Sequence, residues 1–283
     1  MARTPAVTEP AAPPAPRHRR VGAVLARAIG VLALAATALV PVSNEPASAA
    51  TEDGCYTWGR TLSQGASGND VKELQVRVAG WAGYGGRISI DGDFGPATKN
   101  AVTRFQQAYG LGADGVAGPA TFSKIYALQD DDCTPIHFSY SEMDDGCGGS
   151  GFDGGAVSEA TVKQNALWTM WKLEAQRRAM GDRALVITSA FRSRSCNASV
   201  GGASNSRHLY GDAADLVGTP TLCSLAQEAR SHGFGGIFGP GYPAHNDHTH
   251  IDGRSGQVWS APSCGVGREI PLDIIPDDQG VVR

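Results

Sequence analysis

Apolar positions fall at helical spacing in three places along the first half of the chain. Val71, Leu74 and Val78 lie three and four apart, with Asp70 placed to cap the start of their helix. Val102, Phe105 and Tyr109 repeat the stripe, and Phe122 and Ile125 begin a third. The second and third stripes each follow Gly-Pro-Ala-Thr, in DGDFGPAT (91–98) and DGVAGPAT (114–121), a signature that recurs after twenty-three residues. Proline suits the first helical turn, where its missing N–H has no partner to lose. The pattern therefore predicts three short helices joined by glycine turns. Asp91 and Asp93 read as turn residues, because the other ligands of a calcium loop and its closing glutamate are absent.

The second half reads differently. Acidic runs and glycine clusters over 129–157 predict a connecting stretch. A longer helix is expected from near Ser158, with Val162, Ala166, Met170 and Leu173 on one stripe and Trp168 and Trp171 as packing residues. Ala184 to Ala190 (ALVITSA) is short, apolar and β-branched, which predicts a buried strand. Runs at 213–217, 234–238 and 248–252 predict further strands, with a helix near 222–231 between them. Mixed in this order, the elements predict an α+β domain with an antiparallel or mixed sheet over 158–283. A helical domain should occupy 51–132, with 133–157 as the link and the start of the second domain.

The first fifty residues change the arithmetic. A basic start (Arg17-His18-Arg19-Arg20), an apolar run from Val21 to Val40 and an Ala47-Ser48-Ala49-Ala50 exit make a secretory signal peptide, cut after Ala49 or Ala50. Once it is removed, 19 basic and 26 acidic residues remain, a balance unsuited to nucleic acid. No membrane association is expected after the cut, and a monomer is expected. All six cysteines follow the cut, and none forms a C-x-x-C pair, so an exported disulfide framework is favoured over cysteine-bound metal. Sequential pairing is expected, Cys55–Cys133 closing the first domain and Cys147–Cys196 and Cys223–Cys264 stapling the second.

The segment from Asp70 to Leu128 resembles the bacterial peptidoglycan-binding domain of the three-helix repeat type. The matching features are Val71-x-x-Leu74-Gln75, Val102-x-x-Phe105-Gln106 and the two Asp-Gly-x-x-Gly-Pro-x-Thr turns. The resemblance implies a module that holds the protein on the cell wall.

Four of the six histidines after the cut lie in two short stretches, Ser206 to Asp215 (SRHLYGDAAD) and His245 to His250 (HNDHTH). A catalytic zinc site needs about three nitrogen or oxygen ligands and an open position for water. Neutral imidazoles and carboxylates supply such ligands, and these stretches hold them without cysteine. In an extended segment His248 and His250 point to one face. His208 and Asp215 are an odd number apart, so a turn at Tyr210-Gly211 must intervene if both are to meet one ion. His137 and His232 stand apart and read as ordinary polar residues.

Ser206-x-His208-x-x-Gly211-x-Ala213-x-Asp215 matches every fixed position of the S-x-H-x-x-G-x-A-x-D signature of the D-Ala-D-Ala metallopeptidases, which share a fold group with lysostaphin-type enzymes and the hedgehog domain. The family's acidic residue three before a histidine ligand falls on Asp247 and His250, where many relatives carry glutamate. Its arginine at a strand end falls on Arg192. The resemblance, over about 143–265, implies one Zn2+ per chain held by His208, Asp215 and His250. It makes Asp247 the proton acceptor, and gives Arg192 to the substrate carboxylate or the developing oxyanion. His245 or His248 is implied to aid that oxyanion, His245 being favoured. The implied activity is secreted, zinc-dependent carboxypeptidase action before the C-terminal D-alanine of peptidoglycan peptides. Two alternatives remain at this point, a cross-bridge endopeptidase and a non-catalytic wall-binding protein with structural zinc. The latter requires a fourth protein ligand in place of water.

Overall fold

Two buried glutamines explain why the DGxxGPAT turn is repeated. Gln75 lies in the first helix, α1 (Asn69–Val78), and Gln106 in α2 (Pro96–Ala108); a third helix, α3 (Pro119–Ala127), follows. The Gln75 amide donates to Asp91 Oδ1 (2.9 Å), Asp93 O (3.0 Å) and Thr98 Oγ1 (3.2 Å), and its Oε1 accepts from Gly92 N (2.9 Å). Gln106 repeats this with Asp114 Oδ1 (3.0 Å), Val116 O (3.0 Å), Thr121 Oγ1 (3.1 Å) and Gly115 N (2.9 Å). Each aspartate also accepts the N–H two residues on, so both serve the turn, as the sequence suggested. Gly92 and Gly115 have φ of 85° and 73°, the left-handed region that glycine enters without strain. Pro96 and Pro119 each occupy the first helical position. Asp70 is not the N-cap of α1: Gly68 holds that place, and Asp70 instead pairs with Arg60 Nε (2.6 Å). Leu74, Val102, Phe105 and Ile125 form the core here, with Trp58 stacked on Phe122 at 4.9 Å.

The computed structural model describes residues 54–144, 151–218 and 220–267. The expected signal peptide, Cys147 and the chain after Gly267 lie outside the described residues. After a short helix, α4 (Tyr140–Met143), comes α5 (Glu159–Ala179), whose N-cap Ser158 accepts from Thr161 N. Strand β1 (Val186–Ser189), helix α6 (Arg194–Ser199), a 3₁₀ turn over Arg207–Tyr210 and strand β2 (Ala213–Val217) follow. Then come α7 (Leu222–Ala229), β3 (Gly236–Phe238), β4 (Thr249–Asp252), β5 (Val258–Ala261) and β6 (Val266–Gly267). The six strands form one mixed sheet in the order β1-β2-β4-β3-β5-β6, antiparallel except for the β3–β5 pair. The strand expected over 184–190 is an edge strand rather than a buried one. Val186 is 48 % exposed, because no strand covers that side of β1.

Ala214, Leu216, Ile237 and Ile251 point from one face of the sheet into a core with Val162, Met170 and Leu173 of α5 and Leu225 of α7. The alternation of strand side chains leaves Asp215, Phe238, His250 and Asp252 on the other face. Helix α5 serves two cores at once. While one face lies under the sheet, its Trp171 and Ala175 belong to the apolar cluster of the helical module. Backbone contacts reinforce that seam, including Gly83 N to Ser231 O (3.0 Å) and Gly85 N to Arg230 O (2.9 Å). His232 sits in it, its Nδ1 2.7 Å from Gly80 O and its Nε2 3.0 Å from Glu228, which accounts for it without chemistry. His137 likewise pairs with buried Glu174 (3.0 Å).

The expected bridges Cys55–Cys133 and Cys223–Cys264 are present. Cys196 is also disulfide-bonded, and its expected partner lies outside the described residues. Among the described residues, no helix is long and apolar enough to cross a membrane.

Candidate metal centre

The register of two strands builds the site. Asp215 of β2 pairs directly with His250 of β4, so their side chains leave the sheet on the same face. The chain ahead of β2 makes one 3₁₀ turn and reverses at Gly211, whose φ of 75° is the left-handed conformation. That turn, expected between Tyr210 and Gly211, swings His208 over the same spot. Three donor atoms converge: His208 Nε2 to His250 Nδ1 is 3.1 Å, His208 Nε2 to Asp215 Oδ1 is 3.3 Å, and His250 Nδ1 to Asp215 Oδ1 is 2.9 Å. All three residues are buried. Ligands ~2.0–2.1 Å from a tetrahedral zinc ion sit roughly 3.3 Å from one another, so the spacing fits such an ion.

The outward nitrogens fix the tautomers. His208 Nδ1 donates to the Ala190 carbonyl, which leaves Nε2 with its lone pair inward. His250 is reversed: Nε2 donates to Asp252 Oδ2 (3.1 Å) and Nδ1 faces inward. Asp252, fully buried, is in turn held by Arg254 Nε (2.9 Å). A carboxylate behind a ligating histidine orients the ring and raises its basicity. Sequence reasoning missed Asp252; the signal was its i+2 spacing from His250 within a strand, which sets both on one face. Burial alone would depress the His250 imidazole, but the hydrogen bonds to Asp215 and Asp252 override it and raise the group to about 9. Asp215 titrates well below the usual carboxylate range: burial pushes it up, and the two histidines outweigh that. Two imidazoles and a carboxylate this close together could hold one metal ion.

A cavity of about 240 Å³ opens over the three donors. Arg192 lines it, with Nε on Ser189 Oγ (2.9 Å) and Nη2 on Asp215 Oδ2 (2.7 Å). His245 lines it too. Its Nδ1 donates to Pro243 O (2.7 Å), and burial followed by the charge of His250 pushes it down to about 4, so it is neutral near pH 7. His248 presents Nε2 at 3.7 Å from Asp215 Oδ1 while Nδ1 donates to Asp247 Oδ1 (2.8 Å). Asp247 itself is 89 % exposed and does not line the cavity; the hydrogen bond from His248 holds it below the ordinary carboxylate value. Among the described residues, the donors that lie within 4.8 Å of one another are these three, with His248 Nε2 standing beside them, 3.7 Å from Asp215 Oδ1. A closed structural site requires four.

A buried His/Asp/His donor set with an open corner, carried on a mixed sheet behind a twin-repeat helical module, is the layout of a two-module metallopeptidase. Comparison with known proteins agrees: residues 136–252 match the model of Peptidase M15, and residues 67–125 match that of a putative peptidoglycan binding domain. The chain is 57 % identical over 88 % of its length to the whole of a zinc D-Ala-D-Ala carboxypeptidase from Streptomyces albus G. It is 37 % identical, over 38 % of its length and 96 % of the other chain, to an uncharacterized protein from Kitasatospora aureofaciens. A crystal structure of a peptidoglycan-binding protein from Clostridioides difficile matches 23 % of this chain and 39 % of that chain at 42 % identity, with a TM-score of 0.21. The chain belongs to the peptidase M15 family.

Proposed function

We propose that the protein is an exported, zinc-dependent carboxypeptidase that removes the C-terminal D-alanine from D-Ala-D-Ala peptides of peptidoglycan. The observation that carries this reading is the triangle of His208 Nε2, Asp215 Oδ1 and His250 Nδ1, left open on one side beneath a cavity. Relatedness to a carboxypeptidase along its whole length supports it. His208, Asp215 and His250 would hold one Zn2+, which when bound supplies Lewis acidity and activates water for attack on the peptide carbonyl.

The chain's own residues supply the rest. Arg192 places a permanent cation on the cavity wall, suited to the substrate's terminal carboxylate or to charge developing on the carbonyl oxygen. His248 carries its proton on Nδ1, against Asp247, and so offers the Nε2 lone pair toward the centre. We assign proton transfer to this pair: Nε2 accepts and later returns the proton, and the Asp247 carboxylate stabilises the imidazolium between those events. The sequence reading gave that acceptance to Asp247 directly; its exposure and its hold on His248 favour the paired arrangement. For His245 to aid an oxyanion it needs a proton on Nε2, and its bond to Pro243 keeps the proton on Nδ1. The helical module would hold the enzyme on its polymer and raise the local substrate concentration. We place the signal peptide at 1–50, the wall-binding domain at 51–132 and the peptidase domain from 133–157 onward, acting as a monomer outside the cell.

The test is D-alanine release from a peptide ending in D-Ala-D-Ala, before chelation, after it, and after zinc is returned. Release that stops with chelation and resumes with zinc is expected. Release indifferent to a strong chelator overturns the metal mechanism, and no release from zinc-loaded protein favours a wall binder.

A further inference from the structure

A second cavity, of about 360 Å³, lies in the seam between the helical module and α5. Its size falls in the range of small-molecule sites. One wall is the chain just after α1, including Arg87, Ile88 and Ile90; the other is α5, with Trp168 and Lys172. The floor is Arg207 and Asp212, beside the turn that carries His208.

The charges here are unevenly matched. Asp212 is taken up by Arg207, and nearby Asp252 by Arg254 and His250. Lys172 has no ion-pair or hydrogen-bond partner among the described residues, and its ammonium lies 5.6 Å from the Phe234 ring. Arg87 makes one hydrogen bond, to the Gly253 carbonyl (3.0 Å), and no ion pair among the described residues. Two cations without an ion-pair partner among the described residues and the apolar edges of Ile88 and Ile90 thus border one space.

We propose that this cavity is a second ligand site that takes a small acidic peptide, Lys172 and Arg87 holding its carboxylate and Ile88 and Ile90 its apolar part. The proposal does not depend on the zinc reading. A bound carboxylate would complete the charge balance that the protein leaves open and would join the two modules, since each supplies one cation. Burial, and then Arg87, push the Lys172 ammonium down to about 8; Arg207 lowers it further, and Asp212 and Asp252 pull it up. A carboxylate arriving beside it must raise that value, so binding at pH 8 takes up about half a proton per site.

The experiment is isothermal titration of the full-length protein with N-acetylglutamate, with its neutral counterpart N-acetylglutamine amide, and with inorganic phosphate, at pH 8 in buffers of differing ionisation enthalpy. Saturable binding of N-acetylglutamate with proton uptake is expected, at least tenfold tighter than either control. Lys172→Met should abolish the proton uptake and weaken binding about tenfold or more, the scale of a lost charged hydrogen bond. Arg87→Gln, on the more exposed wall, should weaken binding similarly and also shrink the uptake, since without Arg87 the Lys172 ammonium is less depressed before binding; this keeps the test open if Lys172→Met fails to fold. Equal affinity for phosphate or for the neutral amide overturns the proposal, as does binding that neither substitution weakens.

Discussion

Asp252→Asn is the most discriminating perturbation of the metal centre, because it changes one proton and almost no volume. The wild-type carboxylate can only accept, so His250 must keep a proton on Nε2, 3.1 Å away, which leaves Nδ1, turned to His208 and Asp215, as the nitrogen that gives up its proton to bind a metal. Asparagine can present an NH2 group to the same nitrogen, which favours the opposite tautomer and puts a hydrogen where the metal should bind. Groups of this kind typically contribute 10–100-fold to metal affinity, and the wrong-tautomer penalty should place this variant toward the upper end. A separate cost falls on stability. Arg254, held at 2.9 Å through Nε, loses its buried countercharge, and removing one partner of a buried pair costs about 3–5 kcal/mol. Glutamate is no remedy, because Gly236 flanks that space and leaves no room for a longer arm: a Cβ at Gly236 would collide with the Asp252 carboxylate itself. Zinc affinity measured against a competing chromophoric chelator should fall by about 10- to 100-fold, and urea unfolding of the chelated protein should report the stability loss apart from metal. Affinity within twofold of wild type would show that Asp252 does not set the His250 tautomer, and the assignment of Nδ1 as the donor atom would fail with it.

Three further substitutions test the proton-transfer pair and the helical repeat. Asp247→Asn should keep zinc but lower kcat by at least about 10²-fold, the lower range of proton-transfer contributions, and His248→Gln should lower it as far; full turnover in either variant removes the pair from the mechanism. Gln106→Ala should destabilise the protein by about 2–4 kcal/mol in urea, since it strands three acceptors and one N–H in a buried turn, and a change under 0.5 kcal/mol would mean that the repeat is not held by its glutamines.

The sequence disclosed most where one residue type has one physical use. Gly-Pro at a helix start marked α2 and α3; spacing within 206–215 and 245–250 left the donor set open, and the resemblance to a family signature singled out His208, Asp215 and His250. It disclosed least where the partner decides. Gln75 and Gln106 entered only as matches to a family pattern, and only the returning turn shows them as the centre of each repeat. Asp252 closed a predicted strand without a role until strand alternation put it behind His250. Strands β5 and β6 were not anticipated, since four and two residues carry too little alternation to read. For Asp247 the spacing from His250 matched a family pattern, but spacing does not say which way a loop side chain turns, and in the structure it accepts from His248.

Helix α5 argues that the wall-binding module is more than a tether. Trp171 projects from the peptidase side into the helical module, 2 % exposed, where its indole donates to Cys133 O (3.2 Å) and the Arg77 guanidinium lies 5.9 Å from its ring. Ala175, one turn on, meets Gly80 so closely that a Cβ there would collide with it. A flexible tether needs neither contact, whereas a shared core makes each half depend on the other. Trp171→Ala deletes a large side chain from the module's core while leaving the face beneath the sheet intact, a loss of about 3–5 kcal/mol. If the halves are coupled, near-ultraviolet dichroism and residual D-alanine release should both shift to lower urea, by the same amount and in one transition. Two separate transitions, with release unmoved, would instead make the helical module an independent passenger whose contacts with α5 carry no energy to the active site.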